Sequence, residues 1–284
     1  MKTSQIRKPD WLKIKLPNLE EASKIIGLLN QHSLNTICSS GLCPNRGECW
    51  GHGTATFMIC GDVCTRACRF CAVKTGNPRQ ALDEDEKNRI ITTIRTLKLR
   101  HVVLTSVDRD DLPDGGSRHW VNVIKSIKEN CEGVTIEALI PDFQGNTESI
   151  QQVIDIAPDV ISHNMETVRR LTSVVRSVAT YEGSLGVIKM ISQSGIRSKS
   201  GIMLGLGEAL DEIFETMDDL RECGCEVLTV GQYLQPTPSH IPVEKFWSPD
   251  EFDMIKREGL KRGFRYVESG PFVRSSFHAE CHVE

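Results

Sequence analysis

Residues 54–71 read TATFMICGDVCTRACRFC, an apolar segment followed by a glycine and a loop with three cysteines. Thr54–Cys60 is typical of a buried strand, because its residues are apolar or β-branched. Cys64, Cys68 and Cys71 follow with C-x3-C-x2-C spacing, so three thiols lie on one loop at the carboxyl end of that strand. Enzymes built on barrels of parallel strands place their active sites at this end. The stretch therefore predicts a barrel-like fold with a cysteine site at its mouth.

Beyond this segment, apolar runs alternate with stretches of helical periodicity, which indicates a parallel sheet with right-handed helical crossovers. The predicted strands are Thr54–Cys60, His101–Ser106, Val134–Leu139, Asp159–His163, Gly201–Leu204 and Glu226–Gln232. The predicted helices are Glu84–Lys98, His119–Asn130, Thr147–Ile156, Met165–Leu171, Gly186–Ser194, Leu210–Glu222 and Pro249–Arg262. Six such units fit the length. We therefore predict an α/β fold, a partial (β/α)6 TIM-like barrel.

The chain divides into three predicted parts: an N-terminal cysteine-rich arm (1–53), the barrel (54–268) and a short C-terminal tail (269–284). Hydrophobic residues make up 39% and charged residues 25% of the sequence, the balance of a globular protein. The net charge of −4 offers no basic field of the kind expected of a nucleic-acid binder. No apolar run approaches the roughly 20 residues of a membrane helix, and residues 1–16 do not resemble a secretory signal. We expect a cytoplasmic protein with neither nucleic-acid nor membrane partners.

Eleven cysteines are too dilute for a small disulfide scaffold. In a reducing cytoplasm they remain thiols, so cysteines grouped on one loop indicate a metal or catalytic site. Cys64, Cys68 and Cys71 can bind three corners of a cubic [4Fe–4S] cluster and leave its fourth iron open to a substrate group. The alternative is a structural zinc site, which needs a fourth Cys or His close by. No histidine follows Cys71 until His101, which favours the cluster.

The same loop, with the aromatic Phe70 before its last cysteine, resembles the radical S-adenosylmethionine (SAM) superfamily. The resemblance implies that Cys64, Cys68 and Cys71 are both metal ligands and catalytic. Their cluster would hold the methionine end of SAM and, once reduced, cleave it to a 5′-deoxyadenosyl radical. In that superfamily the aromatic residue presents its backbone to the adenine, so Phe70 is a predicted SAM contact.

A second cysteine triplet lies upstream, where Cys38, Cys43 and Cys49 have C-x4-C-x5-C spacing. Two triplets exceed the needs of one cluster. We therefore infer a second [4Fe–4S] cluster, which takes its fourth ligand from elsewhere in the chain.

With this second triplet and the segment Arg274-Ser275-Ser276-Phe277, the chain is similar to the lipoyl synthase family. Members end in an Arg-Ser-Ser-Tyr motif, and one of its serines is the fourth ligand of the second, auxiliary cluster. Phe277 replaces the usual tyrosine here, whereas the serine pair is intact. We favour Ser276 over Ser275 as the ligand and count it among the catalytic residues. Further family-like stretches are LTSVDRDD (104–111), EALIPDF (137–143), SHNMETVRR (162–170), GIMLGLGE (201–208) and VGQYLQP (230–236).

The resemblance implies a sulfurtransferase that inserts two sulfur atoms at C6 and C8 of a protein-bound octanoyl-lysine. The auxiliary cluster would provide the sulfur, and each lipoyl group would consume two molecules of SAM. These carbons carry no activating group and do not react by heterolytic chemistry, which explains the need for a radical cofactor. Besides Phe70, we expect SAM contacts from polar residues that end strands at the mouth: Thr105, Ser106, Glu137 and Asn164.

The expected protein partners follow from the same resemblance. They are octanoylated lipoyl carrier domains (E2 subunits and the glycine cleavage H protein), reduced ferredoxin or flavodoxin, and an iron–sulfur carrier that rebuilds the auxiliary cluster. Basic clusters at residues 2–15 and 256–265 are candidate docking surfaces for acidic carrier domains. Two alternatives are another radical enzyme with an auxiliary cluster and a zinc-stabilised binding module without catalysis. The Arg-Ser-Ser segment speaks against the first, and the iron content of anaerobically purified protein would decide the second.

Overall fold

The computed structural model of the chain describes residues 7–13, 25–29, 31–40, 43 and 45–283. Parts of the predicted N-terminal arm, including Lys2 and Lys15 of the first basic cluster, lie outside the described residues, as does Glu284. Within the described ranges, no helix combines the length and apolar character that crossing a membrane would require.

Seven parallel strands form one sheet whose spatial order is their order in the chain. They are β1 Thr54–Ile59, β2 His101–Ser106, β3 Thr135–Leu139, β4 Val160–Ser162, β5 Arg197–Leu204, β6 Val227–Gln232 and β7 Tyr266–Gly270. Six βα units followed by a last strand confirm the partial barrel. The sequence analysis missed β7, and the proposed boundary at residue 268 falls inside it. Two short parallel strands, Val63–Cys64 and Lys74–Thr75, lie within the loop after β1.

Helices connect the strands and cover the outside of the sheet. They are α3 Glu86–Leu97, α4 Ser117–Asn130, α5 Thr147–Asp155, α6 Arg169–Val175, α7 Tyr181–Gln193, α8 Leu210–Glu222 and α9 Pro249–Lys261. Two short helices, α1 Ile37–Ser40 and α2 Arg46–Gly51, precede β1 in the arm. A single turn of 3-10 helix, Ala279–His282, lies in the tail.

The two faces of the sheet differ in chemistry, because side chains alternate along each strand. One face is apolar and packs under the helices, with Leu104, Ile136 and Ile161 fully buried. The other face lines a polar lumen: Glu137 on β3 and Lys199 on β5 form a fully buried salt bridge of 2.8 Å. A buried pair of this kind fixes the relative positions of two strands across the lumen.

The C-terminal tail crosses this lumen from the mouth to the floor. Ser275 accepts a hydrogen bond of 2.8 Å from the amide of Asn164, just beyond the carboxyl end of β4. A few residues later, Glu280 accepts one of 2.8 Å from Thr54, the first residue of β1. The carbonyl of His282 accepts a hydrogen bond from Arg197, the first residue of β5. The tail is therefore part of the barrel's interior.

Candidate active site

The loop of the first predicted triplet begins at a sharp turn after β1. Cys60 and Gly61 both have positive φ values, of 69° and 100°, which turn the chain away from the strand. The amide of Cys71 then donates to the carbonyl of Cys68 at 3.1 Å. From the far side of the barrel, the Nε2–H of His240 donates to the carbonyl of Cys71 at 3.0 Å. These contacts fix the backbone that carries the three thiols.

Arg66 anchors this loop through a buried ion network that the sequence analysis did not anticipate. Its guanidinium, 3% exposed, forms salt bridges with Asp108 (3.3 Å), Asp110 (2.8 Å) and Asp142 (2.6 Å). Burial alone would lower the pKa of Arg66, but the hydrogen bonds to Asp110 and Asp142 and the charge of Asp108 outweigh it and raise the pKa. Arg66 is therefore a permanent cation that ties the cysteine loop to the loops after β2 and β3.

The thiols of this triplet are close enough to influence one another. Burial raises the pKa of Cys64 to about 11. It likewise raises the pKa of Cys71 to about 11, and the charges of Cys68 and Cys64 add to the effect. The sulfur of Cys68 lies 3.8 Å from the hydroxyl of Ser177. Mutual repulsion and burial both favour the protonated thiols, so binding of iron would release protons from this loop.

The second predicted triplet is also brought together. Cys38 lies within hydrogen-bonding range of Cys43, and this bond raises the pKa of Cys38 together with burial and the charges of Cys43 and Cys49. Burial, followed by the charge of Cys43, raises the pKa of Cys49 to about 12. All eleven cysteines lie in described positions, and none of them forms a disulfide bond. In the described part of the chain, no three Cys, His, Asp or Glu side chains are arranged to hold a single metal ion.

The tail lies close to the segment that carries this second triplet. The side-chain amide of Asn45 donates to the carbonyl of Phe272 at 2.6 Å, and His278 lies 3.3 Å from Glu48. Burial lowers the pKa of Arg274, while the charge of Cys43 opposes that shift. The described residues place no carboxylate in a salt bridge with Arg274. A partly buried cation beside a thiol triplet suits an anionic, thiolate-bound iron–sulfur cluster, so these residues fit the group.

The two serines of the tail differ in their contacts. Ser275 accepts the hydrogen bond from Asn164, and the same Asn164 amide donates to a Glu166 oxygen at 3.2 Å. Glu166 in turn acts electrostatically on Cys71 of the first triplet. A continuous set of side chains thus runs from Cys71, in the loop of the first triplet, to the tail.

The predicted SAM contacts fall in several different places. Phe70 is partly buried against the core. Val103 stands opposite Glu137 in the register, so Thr105 lies on the lumen face and Ser106 on the helix-facing side. The hydroxyl of Ser106 is buried without a hydrogen-bond partner among the described residues.

Glu137 does not occupy the position expected of it, whereas Asn164 does. Glu137 lies in the middle of β3, so the prediction that it ends a strand is wrong. One of its oxygens binds Lys199 and the other accepts a hydrogen bond of 2.8 Å from Ser162. Asn164 follows β4 at the mouth, in contact with the tail. The pattern of the sequence could not reveal the partner of Glu137, because Lys199 lies 62 residues away.

Two residues at the mouth, Glu166 and Ser177, were not among the predicted site residues. Glu166 has a positive φ of 67°. Burial raises the pKa of its carboxyl group, against the opposing charge of Arg176. An unfavourable backbone conformation in a non-glycine residue is characteristic of functional sites. Ser177 contacts Cys68 and also accepts a hydrogen bond of 3.1 Å from the amide of Ala67. Only the stretch SHNMETVRR hinted at Glu166.

Comparison with known proteins agrees with this arrangement. The profile of the radical SAM superfamily matches residues 58–220, more than half of the chain. A lipoyl synthase of Treponema denticola is 57% identical over 281 residues, which cover 99% of this chain and 97% of that protein. A mitochondrial lipoyl synthase of Nematostella vectensis is 52% identical over 277 residues, covering 97% of this chain and 95% of that protein.

Solved structures show the same fold at low identity. Streptococcus suis SuiB bound to S-adenosylmethionine superposes with a TM-score of 0.60 at 12% identity, covering 91% of this chain and 57% of that one. Methylornithine synthase (PylB) gives 0.54 at 14% identity, covering 88% and 81%. These likenesses confirm the barrel.

The matches also confirm the cofactors expected from the sequence, SAM and [4Fe–4S] clusters, and the enzyme class, a radical SAM sulfurtransferase of lipoate biosynthesis and protein lipoylation. The chain belongs to the lipoyl synthase family of the radical SAM superfamily.

Proposed function

We propose that this enzyme inserts two sulfur atoms at C6 and C8 of an octanoyl-lysine on a carrier protein. The auxiliary cluster is the sulfur source, and two molecules of SAM are consumed per lipoyl group. The observation that carries the proposal is the meeting of the tail with both cysteine sites: Arg274 lies beside Cys43, while Ser275 reaches Asn164 at the mouth. An active site with a radical source and a sulfur source needs both to face one substrate.

The proposed ligands are Cys64, Cys68 and Cys71 for the radical cluster, and Cys38, Cys43, Cys49 and Ser276 for the auxiliary cluster. When bound, the first cluster with SAM supplies a carbon radical able to remove unactivated hydrogens, and the second supplies sulfur. The protein residues hold and insulate these groups. The Arg66 network and His240 keep the loop of the first triplet, which we call the radical loop, in place. The tail closes the floor of the lumen, which limits the access of water to the reaction.

Among the tail serines, the contacts support Ser276 as the ligand. The hydroxyl of Ser275 already accepts the hydrogen bond from Asn164, so Ser275 serves to position the tail. We expect Ser276→Ala to lower the auxiliary iron content and Ser275→Ala to retain it. Mössbauer spectroscopy of anaerobically reconstituted variants measures both. Equal iron loss in the two variants would contradict the assignment.

Polar side chains at the mouth are the proposed SAM contacts. Glu166 and Asn164 lie beside Cys71 and can accept and donate hydrogen bonds to the amino, carboxylate or ribose groups of SAM. Thr105 lies on the lumen face of β2 and is suited to the same task. Phe70 and Ser106 remain predictions, and Glu137, already saturated by Lys199 and Ser162, is better suited to support the lumen wall.

The proposed partners are octanoylated carrier domains, reduced ferredoxin or flavodoxin, and an iron–sulfur carrier protein, in the cytoplasm. In the second basic cluster, Lys261 and Arg262 already pair with Glu258 at 2.7 and 2.8 Å, and Lys256 lies 4.0 Å from Glu268. This pairing leaves less free positive charge for docking than the sequence suggests.

An anaerobic assay with an octanoyl-lysyl peptide, SAM and dithionite tests the proposal. Mass spectrometry should detect 5′-deoxyadenosine and a peptide with two added sulfur atoms, from protein with about eight irons per chain. Cys49→Ala should keep the formation of 5′-deoxyadenosine and lose the sulfur-containing product. Protein that contains a single cubane, or that cleaves SAM without thiolating the peptide, would refute the proposal.

A further inference from the structure

A small exposed patch, which we call the cluster-side patch, consists of Arg69, Val174 and Val178. The two valines are 47% and 52% exposed, and they are two of the three large hydrophobic side chains exposed in the described part of the chain. Arg69 lies in the radical loop, and its guanidinium donates to the carbonyl of Val174 at 3.4 Å. The patch is therefore apolar at its centre and cationic at its edge.

This patch is the outer surface of the radical cluster's binding loop. The amide of Arg69 donates to the carbonyl of Val175 at 2.9 Å. Ser177, next to Val178, contacts the sulfur of Cys68 at 3.8 Å. A molecule seated on the patch is thus separated from Cys68 by little more than the side chain of Ser177.

The exposed charged residues of the loop that carries Arg69 are mostly cations, although the chain as a whole is acidic. Residues 61–79 expose Arg69, Lys74 and Arg79 against Asp62. None of these cations forms a salt bridge with a described residue, whereas Arg66 in the same loop is buried and neutralised by its aspartates. Beside the patch, a depression of about 320 Å³ is lined by Ser177, Val178 and the adjoining ends of α6 and α7. An apolar patch edged by Arg69, in a loop whose exposed cations form no described salt bridge, fits an acidic partner.

We propose that the cluster-side patch is the docking site of an acidic one-electron carrier protein of the ferredoxin or flavodoxin class. This inference rests on the proposed function, in which each cleavage of SAM consumes one electron. The donor is oxidised by one electron, and the carbon–sulfur bond of SAM breaks to give methionine and the 5′-deoxyadenosyl radical. Electron transfer weakens steeply with distance, so the donor needs the surface nearest Cys68.

The position of the patch favours an electron donor over the octanoylated carrier protein. The octanoyl chain has to enter the lumen, where Asn164 and Ser275 meet, whereas Val174 and Val178 are exposed to solvent. A small apolar centre with a charged edge also matches redox encounters, which bury little surface and dissociate quickly.

Val178→Glu tests the proposal, because it places a negative charge on the patch without altering a cluster contact. In holoenzyme at low ionic strength, we expect the apparent KM for a reduced acidic ferredoxin to rise about tenfold. The Kd for the oxidised ferredoxin, measured by calorimetry, should rise by the same factor. The rate with dithionite and the octanoyl-lysyl peptide should stay within about twofold of the unchanged enzyme, because a small reductant needs no docking.

Leu260→Glu and Arg257→Glu are the matched controls. Leu260, 46% exposed, and the exposed Arg257 lie near the end of α9, at the opposite end of the barrel from the loop of the first cysteine triplet. Both controls should leave the KM and Kd for ferredoxin unchanged. Arg69→Glu should reproduce the effect of Val178→Glu on the Kd.

Each other outcome overturns the inference in a recognisable way. An unchanged Kd and KM for ferredoxin in Val178→Glu would place the donor elsewhere. A parallel loss of the dithionite rate would show that the patch is structural, and a raised KM for octanoylated carrier protein alone would assign it to that partner. If the unchanged enzyme fails to thiolate the peptide with dithionite, the proposed function itself fails.

Discussion

Replacing Lys199 with methionine should destabilise the barrel strongly, because it leaves the carboxylate of Glu137 buried in the lumen without its cationic partner. The side chains of Glu137 and Lys199 are 0% and 1% exposed, and their charged atoms are 2.8 Å apart. At an effective dielectric constant of about 20, the attraction at this distance is roughly 6 kcal/mol, part of which repays desolvation. Breaking a buried pair by removing one partner typically costs about 3–5 kcal/mol.

A decrease of this size in the free energy of unfolding should be measurable by thermal unfolding of the anaerobic holoenzyme, followed by circular dichroism. For a chain of this length it corresponds to a fall in Tm of about 10 °C. The double variant Glu137→Gln with Lys199→Met removes both charges, and the glutamine oxygen can still accept the hydrogen bond from Ser162. We therefore expect it to recover about half of the loss.

The outcome also decides whether Glu137 contacts SAM. If its role is to hold Lys199, folded Glu137→Gln should bind SAM with a Kd within about twofold of the original. The reasoning is refuted if Lys199→Met lowers Tm by less than about 2 °C, or if the two single effects simply add in the double variant. A large rise in the Kd for SAM would restore Glu137 to the cofactor site.

Two further predictions concern the anchoring of the radical loop and the buried histidines. Arg66→Met leaves three aspartates without their shared cation, so iron content should fall by about four per chain, measured by metal analysis, with Arg66→Lys retaining more. Iron content equal to that of the original protein would contradict the anchoring role. Burial lowers the pKa of His101 and His282 to about 3 and of His163 to about 4. The unfolded chain protonates these histidines below about pH 6.5, whereas the folded protein does not. The free energy of unfolding should therefore decrease as the pH is lowered from 8 to 5.5, by about 4 kcal/mol for the three histidines together. Urea titrations should show this loss, with a smaller slope for His101→Gln; a flat pH profile would show that the histidines are protonated in the folded protein.

Local periodicity was sufficient to predict most of the barrel. β2 and α8 begin and end at the residues expected, because their apolar side chains recur at the strand and helix periods. Periodicity did not predict the strands correctly where they border the polar lumen. β5 begins at Arg197, four residues before the predicted start, and β7 was missed. Their lumen-facing residues are polar because they meet the tail and the buried salt bridge, which the sequence does not display.

The candidate site, like the fold, could be predicted from the sequence only where its residues lie close together in the chain. The two cysteine triplets were recognised from spacing alone, since the three cysteines of each lie within one short stretch of sequence. Arg66 was missed because its aspartates lie 42 to 76 residues away, in the stretch LTSVDRDD and after β3. Only the meeting of parallel strands at one edge brings such groups together. Which tail serine is engaged by Asn164 was likewise a question of three-dimensional contact.

The passage of the tail through the lumen has a consequence for how the protein is made. Residues 271–283 follow all seven strands in the chain, so the ribosome releases them after the barrel. Until they arrive, the floor lacks His282 and the second cysteine site lacks Arg274 and the serine pair. A nascent chain that stops before residue 271 therefore holds an open barrel, and its second cysteine site lacks Arg274 and the serine pair. Under the proposed function, translation orders biogenesis, because the barrel is made before the proposed sulfur-supplying site can be completed.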